Sequence, residues 1–411
     1  MTLHRDRPGA EAIRAAAPGT PEQVADRIWQ SPGLSNSYLI GTEDGCVVVN
    51  AGMGFEGPVH AENYAQLAAG PVRYLILTQG HVDHVGGVDA LREPDTQVVA
   101  QANWATWRDD NERLMPFRTR NAAFAWTDAI TAALEFAANR PEGFPGQSNP
   151  VPDVVVEDRL ELLVGGRRMV LVATPGGETT DSLVIHLPDE GIALCGNAFG
   201  ALIGHIPNLV TMRGDRYRDA LTVSATIETI RELGAEVLLT GHFGPVTGAA
   251  YVEAELTRLR DAVLFVHDET VRGMNAGTDV AELMRTVVLP PELEVGEGYG
   301  KVAWDVRAVW ETYAGWFHHR STTELYAVRP DAVHAELGRL AGPDVLAVAA
   351  AARLASGEPV EALQLTEVAL AADPDHGAAR SVAREAHEVL LAASTNFWES
   401  AWLSRELRRL G

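Results

Sequence analysis

Apolar residues in the first half of the chain fall into short runs of four to seven, separated by glycine, aspartate and proline. The runs Asn36-Ser37-Tyr38-Leu39-Ile40 and Cys46-Val47-Val48-Val49-Asn50 flank Gly41-Thr42-Glu43-Asp44-Gly45. β-Branched and aromatic residues on both sides of such a turn predict a hairpin. Tyr74-Leu75-Ile76-Leu77 reads as a buried strand and Val88-Asp89-Ala90-Leu91-Arg92 as the start of a helix, with another helix from Ala61 to Leu67 before them. After the strand Gln97-Val98-Val99-Ala100, residues 103–149 turn to aromatic, arginine and proline residues in helical stretches, and predict a helical insertion. A second set of β runs lies between Val154 and Leu194, with Gly165-Gly166 as a hairpin turn. Asp219 to Leu233 predicts a helix, and Glu236-Val237-Leu238-Leu239 the strand that ends at Thr240-Gly241-His242.

Two strand-rich halves with helices between them indicate an α/β sandwich whose loops meet along one edge. From Tyr251 the pattern becomes almost wholly helical, and the alanine-rich pairs between Leu346 and Leu391, split at Gly357-Glu358-Pro359 and Asp373-Pro374-Asp375, resemble tetratricopeptide units. So few units do not stand alone as a solenoid, so they are expected to pack on the rest of the chain or on a second copy. Residues 1 to about 25 are rich in alanine, proline and glycine and read as a loosely packed lead-in.

The 411 residues are too many for one core, and 46 % hydrophobic with 22 % charged residues is an ordinary globular composition. A net charge of −23 argues against nucleic acid or an anionic membrane surface as partner, while leaving room for a small anion held by local arginines. No run reaches bilayer length, and the charged start Met1-Thr2-Leu3-His4-Arg5 lacks the apolar segment of a secretory signal, so the expected location is cytoplasmic. Cys46 and Cys195 each sit in an apolar run and are expected to be buried and unpaired.

The chemistry concentrates in Thr78 to Gly87, T-Q-G-H-V-D-H-V-G-G. His81, Asp83 and His84 would project from a strand-to-helix connection, and a cluster of imidazole and carboxylate that dense commonly holds a divalent metal. Glu178 in Thr174-Pro175-Gly176-Gly177-Glu178, Asn197 in Cys195-Gly196-Asn197, and His242 after Gly241 offer further donors at strand ends. The aromatics Trp104, Trp107, Phe117, Phe124 and Trp126 of the insertion either form a small core or cover the metal site, with Arg118 or Arg120 for an anionic head.

The order T-x-x-H-x-D-H, T-P-G-x-E, G-[DN]-A, G-H resembles the metallo-β-lactamase fold superfamily. Glu178, and the segments Asn208-Leu209-Val210-Thr211-Met212-Arg213-Gly214 with Arg218-Asp219, resemble its alkyl sulfatase branch. Gly298 to Asp305, Gly315-Trp316-Phe317 and Ser321 to Tyr326 are similar to that branch's dimerisation region.

The resemblance implies an αββα sandwich over residues 1–265, with 103–150 as an insertion or lid. It implies an all-α dimerisation domain over 266–411, and a homodimer in which Trp304, Trp310, Trp316 and Phe317 find partners. It also implies a hydrolase of a small anionic ester, by default a sulfate ester. Gln79 stands where the family has its first histidine, Asn197 where a bridging acid is expected, and the sequence stops at Gly411 before a sterol-carrier-like module. Asp83, His84 and His242 then make a complete open site for Zn²⁺, whereas Gln79, His81 and Glu178 make a weaker, exchangeable one in which manganese or iron is also suited. Asp83 would orient the water, whose pKa a metal lowers from about 16 toward about 7. Arg213 would neutralise the anionic group or form an ordinary salt bridge. His205 would donate a proton to the leaving group or serve as a structural histidine. A different hydrolysis, a lyase-type cleavage and a catalytically silent dimeric binding protein are the alternatives.

Overall fold

A computed structural model describes residues 2–139 and 145–411. Pro141, in the expected insertion, lies outside them. The chain divides into two compact units, Met1–Thr312 and Tyr313–Gly411. The boundary expected at residue 265 falls inside one long helix, Ala249–Asn275.

The first unit is built on two sheets. One has seven strands in sequence order: β1 (Glu22–Ala25), β2 (Ile28–Ser31), β3 (Ser37–Thr42), β4 (Gly45–Val49), β5 (Val72–Ile76), β6 (Gln97–Gln101) and β7 (Val154–Val156). The strands are antiparallel as far as β4 and parallel from there on. The other sheet runs from β8 (Arg159–Val164) through β9 (Arg167–Ala173), β10 (Leu183–Leu187), β11 (Ile192–Gly196) and β12 (Val237–Thr240) to β13 (Val246–Thr247), with β11 and β12 parallel. β8 alternates exposed and partly buried positions, as a strand with one solvated face must. The hairpin between β8 and β9 turns at Gly165 and Gly166, both at positive φ.

The two sheets share a core of Ile28, Ile40, Val47, Val49, Ile76, Met169, Leu171, Ile185 and Leu239. Helix Gly57–Ala65, with Val85, Val88 and Trp104, covers the outer face of the first sheet. Helices Ala220–Glu232 and Ala249–Asn275 cover that of the second. The layering is therefore the expected αββα sandwich. Asp219 caps the first of these helices by accepting from Thr222 N at 2.8 Å. Cys46 and Cys195 are buried and free. Among the described residues no helix is long and apolar enough to cross a membrane.

The lead-in is not loose. Leu3 is buried in the core, and its N–H donates to Glu255 Oε2 at 3.1 Å. Farther along, Ala16 N donates to Glu56 Oε1 and Gly19 N to Asn63 Oδ1, both at 2.8 Å. A small-residue composition concealed a strap held by both its backbone and a few side chains.

The second unit is helical: His334–Ala341, Pro343–Ala355, Pro359–Ala372, Gly377–Ala393 and Phe397–Leu410. Its helices pack through small residues, with Ala350, Ala362, Ala369, Ala379 and Ala386 fully buried. Trp316, Leu340 and Val348 remain 69 %, 78 % and 72 % exposed, far more than a monomeric helical unit usually leaves open.

Candidate metal centre

The donors come from strand ends. Asn50, at φ 59°, accepts from Thr78 N and Thr78 Oγ1 at 3.0 Å each, which ties the end of β4 to the loop after β5. Gly196, at the end of β11, has φ 51°, and a Cβ there would lie 2.3 Å from Thr78 Oγ1, so glycine lets the two sheets' loops meet. His81 is the N-cap of the single-turn helix Val82–Val85, which carries Asp83 and His84. The loop after β12 brings His242.

His84 Nε2 lies 3.5 Å from Asp83 Oδ2, and the His84 and His242 rings are 6.4 Å apart between centroids. His242 Nε2 is 3.2 Å from Asn197 Nδ2. Ser35 Oγ contacts His84 Nδ1 at 3.0 Å, the outer hydrogen bond that leaves Nε2 for a ligand. Burial pushes His84 down to about 4 and lowers His242 as well, so both imidazoles are neutral at pH 7, the form that binds metal.

Gln79, His81 and Glu178 also meet, and they bond one another while leaving the buried Gln79 Oε1 without a hydrogen bond. Gln79 Nε2 donates to Glu178 Oε2 at 2.7 Å and lies 2.7 Å from His81 Nδ1, while His81 Nδ1 is 3.3 Å from Glu178 Oε2. His81 Nε2 faces Arg213 Nη2 at 2.6 Å. Burial pushes Glu178 up, but His81, Arg218 and Arg213 outweigh it and hold its carboxyl well below the usual range.

Arg213 is anchored by Asp215, whose Oδ2 accepts from its Nε at 2.7 Å and pairs with its Nη2 at 2.6 Å. Asp215 Oδ1 also pairs with Arg118 Nη2 at 3.2 Å. Arg118 belongs to helix Trp104–Ala122 and stacks on Trp107, 5.4 Å from the ring centroid. Trp107 in turn meets the His81 ring edge-on at 5.2 Å. Through Trp107 and Arg118 the insertion is in contact with His81 and Asp215. Arg118 is committed to Asp215, and Arg120 is exposed. Gly80 makes the close approach of Trp107 possible, since a Cβ there would be 2.0 Å from Trp107 Cδ1.

His205 is not among the grouped residues. Its Nδ1 accepts from Gly298 N at 2.9 Å, its ring meets His4 edge-on, and burial pushes its pKa down to about 4. A neutral imidazole with an occupied Nδ1 has the structural role of the two considered, and no proton to donate from an imidazolium at pH 7. Ser35, Asp215 and Asp181 escaped sequence reading. Asp181, buried beside Gly80, is pushed up to about 6 by burial. The missed signal for Asp215 was its place two residues after Arg213, within reach of the same guanidinium.

Among the described residues no three His, Cys, Asp or Glu side chains form a ready-made cage. By donor type, the neutral imidazoles of His84 and His242 with the Asp83 carboxylate are nonetheless the set that would suit one divalent cation. The buried atoms His242 Nδ1 and Asn197 Oδ1 take no hydrogen bond from the protein. In the Gln79–His81–Glu178 group His81 and Glu178 are engaged with the Gln79 Nε2 amide and with each other, and only the buried Gln79 Oε1 takes no hydrogen bond from the protein.

A model of the metallo-beta-lactamase superfamily matches residues 31–242, and one described as alkyl sulfatase dimerisation matches residues 279–408. The linear primary-alkylsulfatase of Pseudomonas sp. (strain ATCC 19151) is 26 % identical over 385 residues, covering 89 % of this chain and 72 % of its own. The alkyl/aryl-sulfatase BDS1 of Saccharomyces cerevisiae is 24 % identical over 414 residues, covering 94 % of this chain and 64 % of its own. The solved structure of the stereoselective inverting sec-alkylsulfatase Pisa1 from Pseudomonas sp. has the same fold, with a TM-score of 0.81 at 20 % identity over 95 % of this chain and 65 % of that one. The chain thus spans roughly two thirds of the length of these proteins.

Proposed function

The chain belongs to the metallo-beta-lactamase superfamily, and from that premise we propose that it is a metal-dependent hydrolase that cleaves a sulfate ester. The observation that carries the proposal is the adjacency of two chemistries: His84 lies beside Asp83 and His242 and within electrostatic reach of His81 and Glu178, and His81 is in contact with Arg213. A divalent cation held by Asp83, His84 and His242, zinc by donor type, would lower the pKa of water toward about 7 and polarise the ester. Asp83 orients the attacking water through its carboxylate. Arg213, fixed by Asp215, neutralises the charge of the sulfate through planar N–H donors. The Asn197 amide sits beside His242 without the charge of a bridging acid, so a second cation at Gln79, His81 and Glu178 is weak or exchangeable.

Leu114, Met115 and Phe117, exposed on the helix that carries Trp107 and Arg118, offer apolar surface to the non-sulfate part of the substrate. We read the exposed apolar residues of the helical unit, together with its match to an alkyl sulfatase dimerisation model, as a homodimer interface. Light scattering at twice the chain mass is the expected result. The activity test is free sulfate measured by ion chromatography after incubation with a panel of short and long alkyl sulfates. Release that depends on added divalent metal is expected. No release from any member with metal bound would favour another hydrolysis or a cleavage of lyase type.

A further inference from the structure

We infer that Arg7 is a positioning residue for His242, and that the N-terminal strap holds one wall of the metal pocket in place. The inference rests on the reading of His242 as a ligand.

The turn after β12 carries a donor that must be held in register, and β12 itself supplies only Thr240 Oγ1, which donates to His242 O at 2.8 Å. Arg7 adds the contacts that reach on to Gly244 and Pro245. Its Nη2 donates to His242 O at 3.2 Å and to Gly244 O at 2.8 Å, and its Nη1 donates to Pro245 O at 3.4 Å. The guanidinium also lies 6.0 Å from the Phe243 ring centroid. Phe243 has φ 62°, a left-handed conformation that a bulky residue holds only when its surroundings impose it. Gln30 and Asn36 impose it from the other side, both donating to Phe243 O, at 2.9 Å and 2.7 Å. The turn is thus gripped at every residue from 242 to 245.

A planar five-donor fork suits this task, and a lysine does not, because one ammonium cannot span three carbonyls in that geometry. Arg7 is delivered to the turn by Leu3, which is buried in the core next to Glu255, and by the surface pair of Arg5 with Glu294. Ligand-orienting partners of this kind typically change metal affinity by about 10–100-fold when removed.

The test compares R7A, R7K and R5A in the full chain. R5A removes the other arginine contact of the strap without touching the turn. Zn²⁺ affinity is measured by chelator competition, and the metal-free proteins are digested by limited proteolysis with cleavage between Gly241 and Val246 followed by mass spectrometry. R7A is expected to weaken Zn²⁺ binding about 10–100-fold, R7K to fall between it and wild type, and R5A to stay within about 2-fold. R7A alone is expected to open the turn to protease. Equal losses in R7A and R5A, or an R7A protein with wild-type affinity, would overturn the assignment. A wild type that takes no zinc would defeat the ligand reading of His242, and the proteolysis of the metal-free proteins would then decide the strap by itself. Should R7A fail to fold, R7K, which keeps the charge and most of the packing, carries the comparison with R5A.

Discussion

Replacing Asp215 by asparagine tests the charge arrangement around the pocket. Its carboxylate is shared by Arg213 at 2.6 Å and Arg118 at 3.2 Å, and the side chains of Asp215 and Arg118 are only 5 % and 9 % exposed. The substitution keeps the shape and removes the charge, leaving Arg118 without its carboxylate and Arg213 with only the more distant charge of Glu178. Removing one partner from a buried ion pair costs about 3–5 kcal/mol. Arg213 keeps 19 % of its side chain in solvent, so the lower end, about 3 kcal/mol, applies. Spread over the unfolding entropy of a unit of this size, that corresponds to a melting temperature lower by roughly 3–5 °C. Burial pushes Asp215 up, but Arg213 and His81 outweigh it and hold the carboxyl well below its usual range. A depressed folded pKa gives stability that is fully present above the unfolded value of about 3.9 and lost as the pH falls below it. The difference between wild type and D215N should therefore be constant from pH 7 to 5 and shrink below about pH 4. The assay is thermal unfolding of both proteins followed by circular dichroism, with D215N/R118M as a second comparison. Removing the stranded Arg118 cation should recover part of the loss. A D215N protein that melts within ~1 °C of wild type would refute the reasoning, because no desolvated charge could then have been stranded.

Three further outcomes are expected. Q79H replaces the amide that joins His81 and Glu178 with imidazole, and should raise the metal content measured by plasma mass spectrometry from about one toward about two ions per chain. S35A removes the partner of His84 Nδ1 and should weaken zinc binding roughly 10-fold while the circular dichroism spectrum stays that of wild type. Glu56, which accepts from the backbone N–H of Ala16, Leu34 and Met53, is pushed up to about 7 by burial. Its folded pKa lies above the unfolded value, so the metal-free protein should lose stability as the pH rises from about 4.5 to 7. E56Q should flatten that dependence, as read from urea midpoints at the two ends of the range.

Strand alternation and turn glycines made the two sheets legible, and the position of His81, Asp83, His84, Glu178, Asn197 and His242 at strand ends marked them as candidates. What the pattern could not carry was pairing between distant side chains. Nothing local marks Asp215 as the anchor of both Arg213 and Arg118, which come from segments almost a hundred residues apart. The strap of residues 2–20 was hidden for a different reason: backbone groups, Leu3 and the arginines Arg5 and Arg7 make its contacts, and alanine and proline give no periodic signal. His205 was misleading because proximity in sequence to the Asn197 loop does not place a ring in the same pocket. Gln79 read correctly as a departure from the histidine pattern, but only coordinates reveal the amide donating to Glu178.

The central claim is that Asp83, His84 and His242, from loops far apart in the chain, hold one cation that the hydrolysis needs. The direct measurement is metal content and sulfate release on the same chelator-free preparations of wild type, D83A and H242A. The account predicts about one zinc per chain and sulfate release for wild type, with both lost in either variant. Variants that keep the metal, or a metal-free wild type that still releases sulfate, would contradict it.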